Sequence, residues 1–523
     1  MFSYDELTSP ERELWNAFPE GRAVDLRADV PGEDRVDERV AEGGRWGPER
    51  TIRAAVITAL MLGAHGGRQP GAVPCLRLAG ARITGSVDLA GAQLAYALWL
   101  EECWFEDAVN LLGATTQTLV FKGCLVPGIE AGATRVEGNF DLARSIVESG
   151  APSHFHHRIT ALSLTNARVT GGVILNKAQL NAPGGWALAA GGLIMEGGFF
   201  CRPGFVARGE VRLPGAQLPG GLYMNGARLE EPSPRGLALN LENSVASTVV
   251  LSDGFVANGT VSLRGARVSA GLSFAGAVLN GPPDGNGPSL TAALMQAVDF
   301  DLALAAPPAG TVDLQGAQVS YLHDGEHSWP GVVELDGFVY GSIKTTETGA
   351  GREARGPRNT VARRVAWIRR SPGYNPQPYE QLASWYRKSG HDDEARRVLL
   401  AKQRHRRHTL PPAARAWGHL LDVTVGYGYR PWLAGVWLLA LTLLGTLSFG
   451  GHSPRPVQQG EGAPFQPLVY TLDLLIPIGG LGQRTAWYWP DGTLQWLAYL
   501  LIALGWVLTT ALVAGVTRAL QKN

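Results

Sequence analysis

The chain has 523 residues, room for two to four domains, and its 46 basic residues balance 46 acidic ones, so no whole-chain field draws it to nucleic acid. Its four cysteines, Cys75, Cys103, Cys124 and Cys201, show no CxxC and no zinc-ligand spacing, and they read as small core residues rather than as a disulfide framework.

The opening "MFSYDELTSPERELWNAF" has early acids and no apolar h-region, so it does not read as a signal peptide. Residues 1–70 read as a helical cap. Thr8, Ser9, Pro10 and Glu11 supply start signals, and Leu14, Trp15 and Phe18 follow at helical spacing. A second helix is expected over Pro48 to Leu62, with Ile52, Val56, Ala59 and Leu60 on one face.

Residues 71–345 change to short apolar strings punctuated by glycine. "LRLAGARITGSVDLAGAQL" (Leu76 to Leu94) returns as "LSLTNARVTGGVILNKAQL", "VRLPGAQLPGGLYMNGARL" and "VSLRGARVSAGLSFAGAVL", and half of it as "VDLQGAQV". Small residues lie eleven apart within a unit, as Ala81 and Ala92 do. Ala167, Ala216, Ala266 and Ala317 repeat at a period close to fifty. These spacings predict a β-solenoid with coils of about 22 residues, inward Leu, Val and Ile stacking into ladders, and Gly and Ala at the corners. Inserts such as "NGPPDGNGPS" read as loops on one side.

An Arg-rich linker is expected over residues 346–374, followed by a helical hairpin and an amphipathic helix over 375–430. In the hairpin, Gly390 marks the turn and Leu382, Tyr386, Ala395 and Leu399 or Leu400 face one another, as in a single tetratricopeptide-like pair. The amphipathic helix, Ala413 to Val425, ends in "TVGYG", the string that lines potassium-channel filters. Here it precedes an apolar segment on its basic flank, where no filter belongs. Gly426, Gly428 and Arg430 therefore read as a membrane-entry turn.

Within residues 431–523, two uncharged segments, 432–449 and 494–516, are long enough for membrane-spanning helices. Basic residues flank them outside the intervening loop, which predicts a multi-pass protein of the cytoplasmic (inner) membrane with both termini cytoplasmic. Between the spans, 466–482 is too short to cross and ends in "PIGGLGQ". One reading is a re-entrant pore loop built on Asp473, Pro477, Gly479, Gly480 and Gly482. The other is an interfacial segment.

Two histidine-bearing strings hold metal-ligand donor types: "SHFHH" (His154, His156, His157) and "HDGEH" (His323, Asp324, Glu326, His327). Both fall in expected loops without a zinc-enzyme spacing, and they read as solvated. No P-loop, dinucleotide fingerprint or nucleophile elbow is present, so no catalytic residue and no cofactor is expected.

Three stretches carry a resemblance: Trp46 to Val56 ("WGPERTIRAAV"), the "GARITGSVDLAGAQL" repeats, and the run from "LASWYRKSGHDDEARRVLLAKQ" to "GYGYRPW". Together they resemble a bacterial family of pentapeptide-repeat-like membrane proteins labelled "membrane-associated oxidoreductase", and the C-terminal part loosely resembles a two-helix ion-channel pore domain. The resemblance implies a repeat rod followed by a helix pair and two spans, and assigns no catalytic residue. The expectation is a mostly β protein, a membrane-anchored solenoid scaffold or sensor. Its partners would be the lipid bilayer and a protein or further copies bound through the rod, as a homo-oligomer and without nucleic acid. The alternatives are an oligomeric pore and the oxidoreductase of the label.

Overall fold

The structure, a computed structural model, describes residues 4–27, 40–65, 71–149, 158–345, 357–430, 432–458, 464–476, 480–490 and 492–520. It divides into two compact units. The first holds residues 1–356 and 366–373, and the second 357–365 and 374–523.

The first unit is a β-solenoid of about eleven turns. Leu76, Leu98, Leu119 and Phe140 stand in register, and the ladder continues through Val173, Phe199, Leu222, Val249, Leu272, Phe300, Leu322 and Ile343. Each pairing is parallel, and the rungs build two 19-stranded sheets. A parallel stack of this kind must bury its inner face, because each coil covers its apolar row only with its neighbours.

The local chemistry of one coil explains the repeat. Leu111, Ala114, Thr116, Leu119, Phe121, Cys124, Val126, Ile129, Ala131, Thr134 and Val136 are all buried, at alternating intervals of three and two. Two residues separate inward side chains along a strand, and three are needed to round a corner. Four such faces make twenty residues, and one wider corner of four, Phe105 to Val109 and then Val136 to Phe140, completes the 21-residue steps from Leu98 to Leu119 to Phe140. The eleven-residue step in the sequence is half a coil. The fifty-residue period is two coils, since Val169, Leu218, Val268 and Val319 alternate along the ladders with Met195, Ala246 and Ala297.

The corners need left-handed backbone. One corner line carries Gly91, Gly113, Ala133, Asn166, Gly192, Gly215, Asn243, Gly265, Leu294, Gly316 and Gly337, all at positive φ. Leu294 is the misfit, with φ 59° and a side chain left 59% exposed, so it bears the steric cost of that conformation without repayment from burial. Leu294→Asn should raise the stability of the rod by up to about 1 kcal/mol, because asparagine accepts this conformation as it does at rungs 166 and 243. A urea midpoint that fell instead would contradict the strain at this corner.

The solenoid begins earlier in the chain than the repeats suggest. Val24–Asp25 pairs with Leu78–Ala79, and Thr51–Arg53 pairs with Arg82–Thr84. The helix expected from Pro48 is therefore shorter. Pro48–Arg50 is a single 3-10 turn, Thr51 and Ile52 are β-branched residues in a strand, and the helix runs over Ala54–Met61. We call this helix α2 and the helix Ser9–Ala17 α1. Glu11 of α1 is fully buried and accepts hydrogen bonds from the Thr8 N–H, the Arg53 N–H and the Arg53 guanidinium. Burial pushes its carboxyl up, but the bonds and charge of Arg53 prevail and hold it below the usual glutamate range.

At the other end, Arg370 donates to the Trp329 and Pro330 carbonyls, and the Trp329 ring lies 6.2 Å from that of Trp367. The stretch expected as a linker contains a helix, α3 (Pro357–Ile368). Val361, Val365 and Ile368 are buried at helical spacing within its Arg-rich sequence, which is why charge content alone misreads it.

The second unit is helical. α4 (Gln377–Lys388) and α5 (Asp392–Arg407) pack antiparallel around the left-handed Gly390, burying Tyr379, Leu382, Ala383 and Tyr386 together with Ala395, Val398 and Leu400. α6 (Pro412–Val425), α7 (Trp432–Gly450), α8 (Pro467–Leu475) and α9 (Thr493–Leu520) follow. Two helices, Trp432–Gly450 and the Thr493–Thr510 part of α9, are long and apolar enough to cross a membrane, and they are only 17% and 22% buried.

Candidate functional site

The chemistry-bearing residues of the second unit collect at two places, the turn leading into α7 and the segment between α7 and α9. Gly426 ends α6 in the left-handed conformation, with its N–H on the Asp422 and Leu421 carbonyls. Tyr427 and Gly428 also take positive φ. Arg430 folds its stem over this turn, since a Cβ on Gly426 would lie 2.9 Å from Arg430 Cβ. The Trp437 indole donates to the Val423 carbonyl at 3.0 Å and ties α7 to α6.

Beside the turn, Asp422 receives a two-pronged bond from Arg404 (2.9 and 3.0 Å) and a third from Arg407 at 3.1 Å. This cluster escaped the sequence reading, which saw the arginines only as a basic flank. The signal was Asp422 itself, the lone acid of α6. Burial pushes its carboxyl up, yet the hydrogen bonds and charges of Arg404 and Arg407 outweigh burial and hold it below the ordinary aspartate range. A depressed folded value contributes stability above the unfolded value of about 3.9 and loses it as pH falls through the folded value. Asp422→Asn should cost about 2 kcal/mol at pH 7, because two guanidinium groups lose their carboxylate. It should also flatten the loss of thermal stability below about pH 4. Parallel melting curves of both proteins from pH 7 to pH 3 check both effects, and an unchanged acid limb would show that Asp422 does not drive it.

Between the apolar helices, α8 sits against both. Phe449, Tyr470, Leu474, Leu475, Trp489, Ala498 and Leu501 form one buried cluster. Phe449 stacks on Trp489 at 5.3 Å and meets Tyr470 edge-on at 5.2 Å. Two glycines allow this closeness. A Cβ on Gly445 would stand 2.5 Å from Thr471 Cγ2, and one on Gly505 would stand 2.3 Å from the Leu475 carbonyl oxygen. Small residues at such crossings let helix backbones approach without a hydrophobic drive. They were visible in the sequence as glycines inside apolar runs.

Asp473, on the inner side of α8, is 1% exposed. Its two carboxylate oxygens accept the Leu481 and Arg484 backbone N–H groups, each at 2.8 Å. The acid thereby ties the end of α8 to residues 481–484, eight to eleven positions further along the chain. Gly482 takes φ 79° and starts the single helical turn Gln483–Ala486, whereas a Cβ on Gly480 would meet nothing within 4 Å. Pro477 and Gly479 lie outside the described residues.

The histidine strings diverge. His154, His156 and His157 lie outside the described residues. His323 and Asp324 stand on a strand, Gln318–Asp324, and not in the loop expected, because Phe300 and the ladder before it set the register. His323 Nε2 lies 3.0 Å from Asp299 Oδ1, the Trp329 indole donates to buried Asp324 at 2.9 Å, and His327 Nε2 lies 3.1 Å from the Leu304 carbonyl. Glu326 opens the 3-10 turn Glu326–Ser328. His323, Asp324 and His327 thus meet three separate partners, and among the described residues no group of three or more His, Cys, Asp or Glu side chains is placed to hold a metal ion. All four cysteines are buried and free, and burial pushes the Cys124 and Cys201 thiols up, away from the reactive thiolate.

Compared with known proteins, the chain matches no family model, no curated protein and no solved structure. The oxidoreductase label implied by the resemblance thus gains no support there.

Proposed function

We propose that the protein is a membrane-anchored β-solenoid scaffold, with α7 and α9 spanning the bilayer and the rod presenting a binding surface in the cytoplasm. The observation that carries this reading is the rod's outer face, where arginines stack on aromatic rings. Arg77 lies 5.3 Å over Trp99, Arg158 and Arg212 lie 5.4 and 5.0 Å from Trp186, and Arg202 lies 4.8 Å from Phe200, itself stacked on Tyr223. Arg and aromatic residues are enriched at the energetic centres of protein interfaces and depleted from inert surface. The expected partner is a protein, and further copies of this chain are the simplest one.

Carbonate extraction of membranes and sedimentation of the full chain in detergent test the two halves of this reading. Retention in the membrane pellet and a homo-oligomer that dissociates on Trp99→Ala and Trp186→Ala substitution are expected. A monomer at all accessible concentrations would remove the self-assembly half, and release into the carbonate supernatant would remove the anchor.

The clamp of Asp473 on Leu481 and Arg484 favours a second reading, an ion-conducting pore with 466–482 as its re-entrant loop. A short helix, a glycine turn and a returning chain between two apolar helices is the layout of a pore loop. Planar-bilayer recording should then show conductance that Asp473→Ala abolishes. Silence from the reconstituted wild type would eliminate the pore.

A further inference from the structure

Three guanidinium groups converge beside the start of the first apolar helix, with more positive charge than the cleft's own acid neutralises. Arg396 and Arg397 of α5 and Arg430 of the turn after α6 line an open cleft of about 700 Å3, together with Asp393, Tyr429 and Trp432. Arg396 reaches Asp393 at 3.3 Å, and Arg397 stands only within 3.9 Å of Glu394. The Arg397 side chain is 35% exposed, and 3.9 Å is too long for a hydrogen bond to Glu394. Arg430 forms no ion pair among the described residues.

We infer that this cleft holds the phosphate of an anionic phospholipid headgroup, a reading that rests on the membrane anchoring proposed above. Arg397 keeps about a third of its side chain exposed and Arg430 is exposed, so both present guanidinium donors to an open cleft, and a phosphate oxygen accepts them in the geometry a guanidinium fork matches best. The surroundings then select the source of the phosphate. Trp432, 62% exposed, opens α7 at the cleft. Trp417, Leu420 and Val423, 61%, 51% and 57% exposed, form an apolar stripe at helical spacing along α6. Acyl chains would lie along that stripe while the headgroup reaches the arginines, with the tryptophans at the interfacial level. A free phosphate would use the arginines and leave the stripe uncovered.

The test is calorimetric titration of the full chain in neutral detergent with three probes: dihexanoyl phosphatidylglycerol, dihexanoyl phosphatidylcholine and inorganic phosphate. The wild type should bind the glycerol lipid at least about tenfold more tightly than either other probe. Arg430→Gln should weaken that binding about tenfold, and Arg397→Gln with Arg430→Gln further. Arg430 is exposed and forms no ion pair among the described residues, so the single variant should fold normally, and its melting temperature is the control. Equal binding of the choline lipid would overturn the inference. So would equal binding of inorganic phosphate, which would mark a free-anion site, or unchanged affinity in Arg430→Gln. Because the titration is done in detergent, its failure is distinct from failure of the carbonate extraction, which judges the anchor alone.

Discussion

Phe121→Ala should destabilise the rod by about 3–5 kcal/mol, the usual cost of removing a buried phenyl ring where the surroundings cannot collapse. Phe121 is fully buried, with its ring between those of Phe105 at 6.1 Å and Phe140 at 6.4 Å, on consecutive coils. Its backbone is tied on both sides as well: it pairs with Leu100, and its carbonyl accepts the Ser145 hydroxyl. Ladder pairing holds the neighbouring coils at a fixed spacing, so they cannot close over the cavity. The damage should also be local, because stability in a solenoid is a sum of coil and nearest-neighbour contributions. In hydrogen-exchange mass spectrometry of the full chain, peptides within 98–147 should lose protection while those within 260–340 keep it. Uniform loss along the rod would contradict the nearest-neighbour account.

The second large effect is expected at Gly505, where leucine should disrupt the packing of the apolar helices. The first added carbon would stand 2.3 Å from the Leu475 carbonyl oxygen and 2.6 Å from its Cα, so backbone rather than a flexible side chain has to move. Overpacking commonly costs about 1–3 kcal/mol, and a clash with backbone lies at the top of that range or beyond it. The same displacement would separate α8 from α9 and open the Phe449, Tyr470 and Trp489 cluster. Gly435→Leu is the matched control, since a Cβ there meets nothing within 4 Å. Near-ultraviolet circular dichroism of the two variants in detergent should show a collapsed tryptophan signal for Gly505→Leu and a native one for Gly435→Leu. Equal behaviour would mean that the close crossing of α8 and α9 does not exist in detergent.

The two effects differ in kind. Phe121 fails by leaving a space, and Gly505→Leu fails by having none. They belong to two sorts of core, one closed by side chains stacked along ladders and the other by backbones brought close by glycine.

The solenoid is written in the periodicity of the chain, because a corner that needs left-handed backbone and a ladder that needs an apolar residue on every rung leave a periodic mark. It revealed half of the coils clearly. Those of Met195, Ala246 and Ala297 turn at Gly192, Asn243 and Leu294, without a common corner motif, and they became legible only through the register they keep with their neighbours. The two apolar helices were also legible, since length and absence of charge are properties of a segment alone.

Contacts between partners distant in the chain emerge only once it is folded. Thr51–Arg53 is a strand and not a helix because Arg82–Thr84 offers it a ladder. Asp422 is held by arginines 15 and 18 residues away, and Asp473 by N–H groups 8 and 11 residues away. Periodicity records what a residue needs from its own turn or strand. A pairing across a loop depends on where two segments meet, and no spacing in the sequence encodes that meeting.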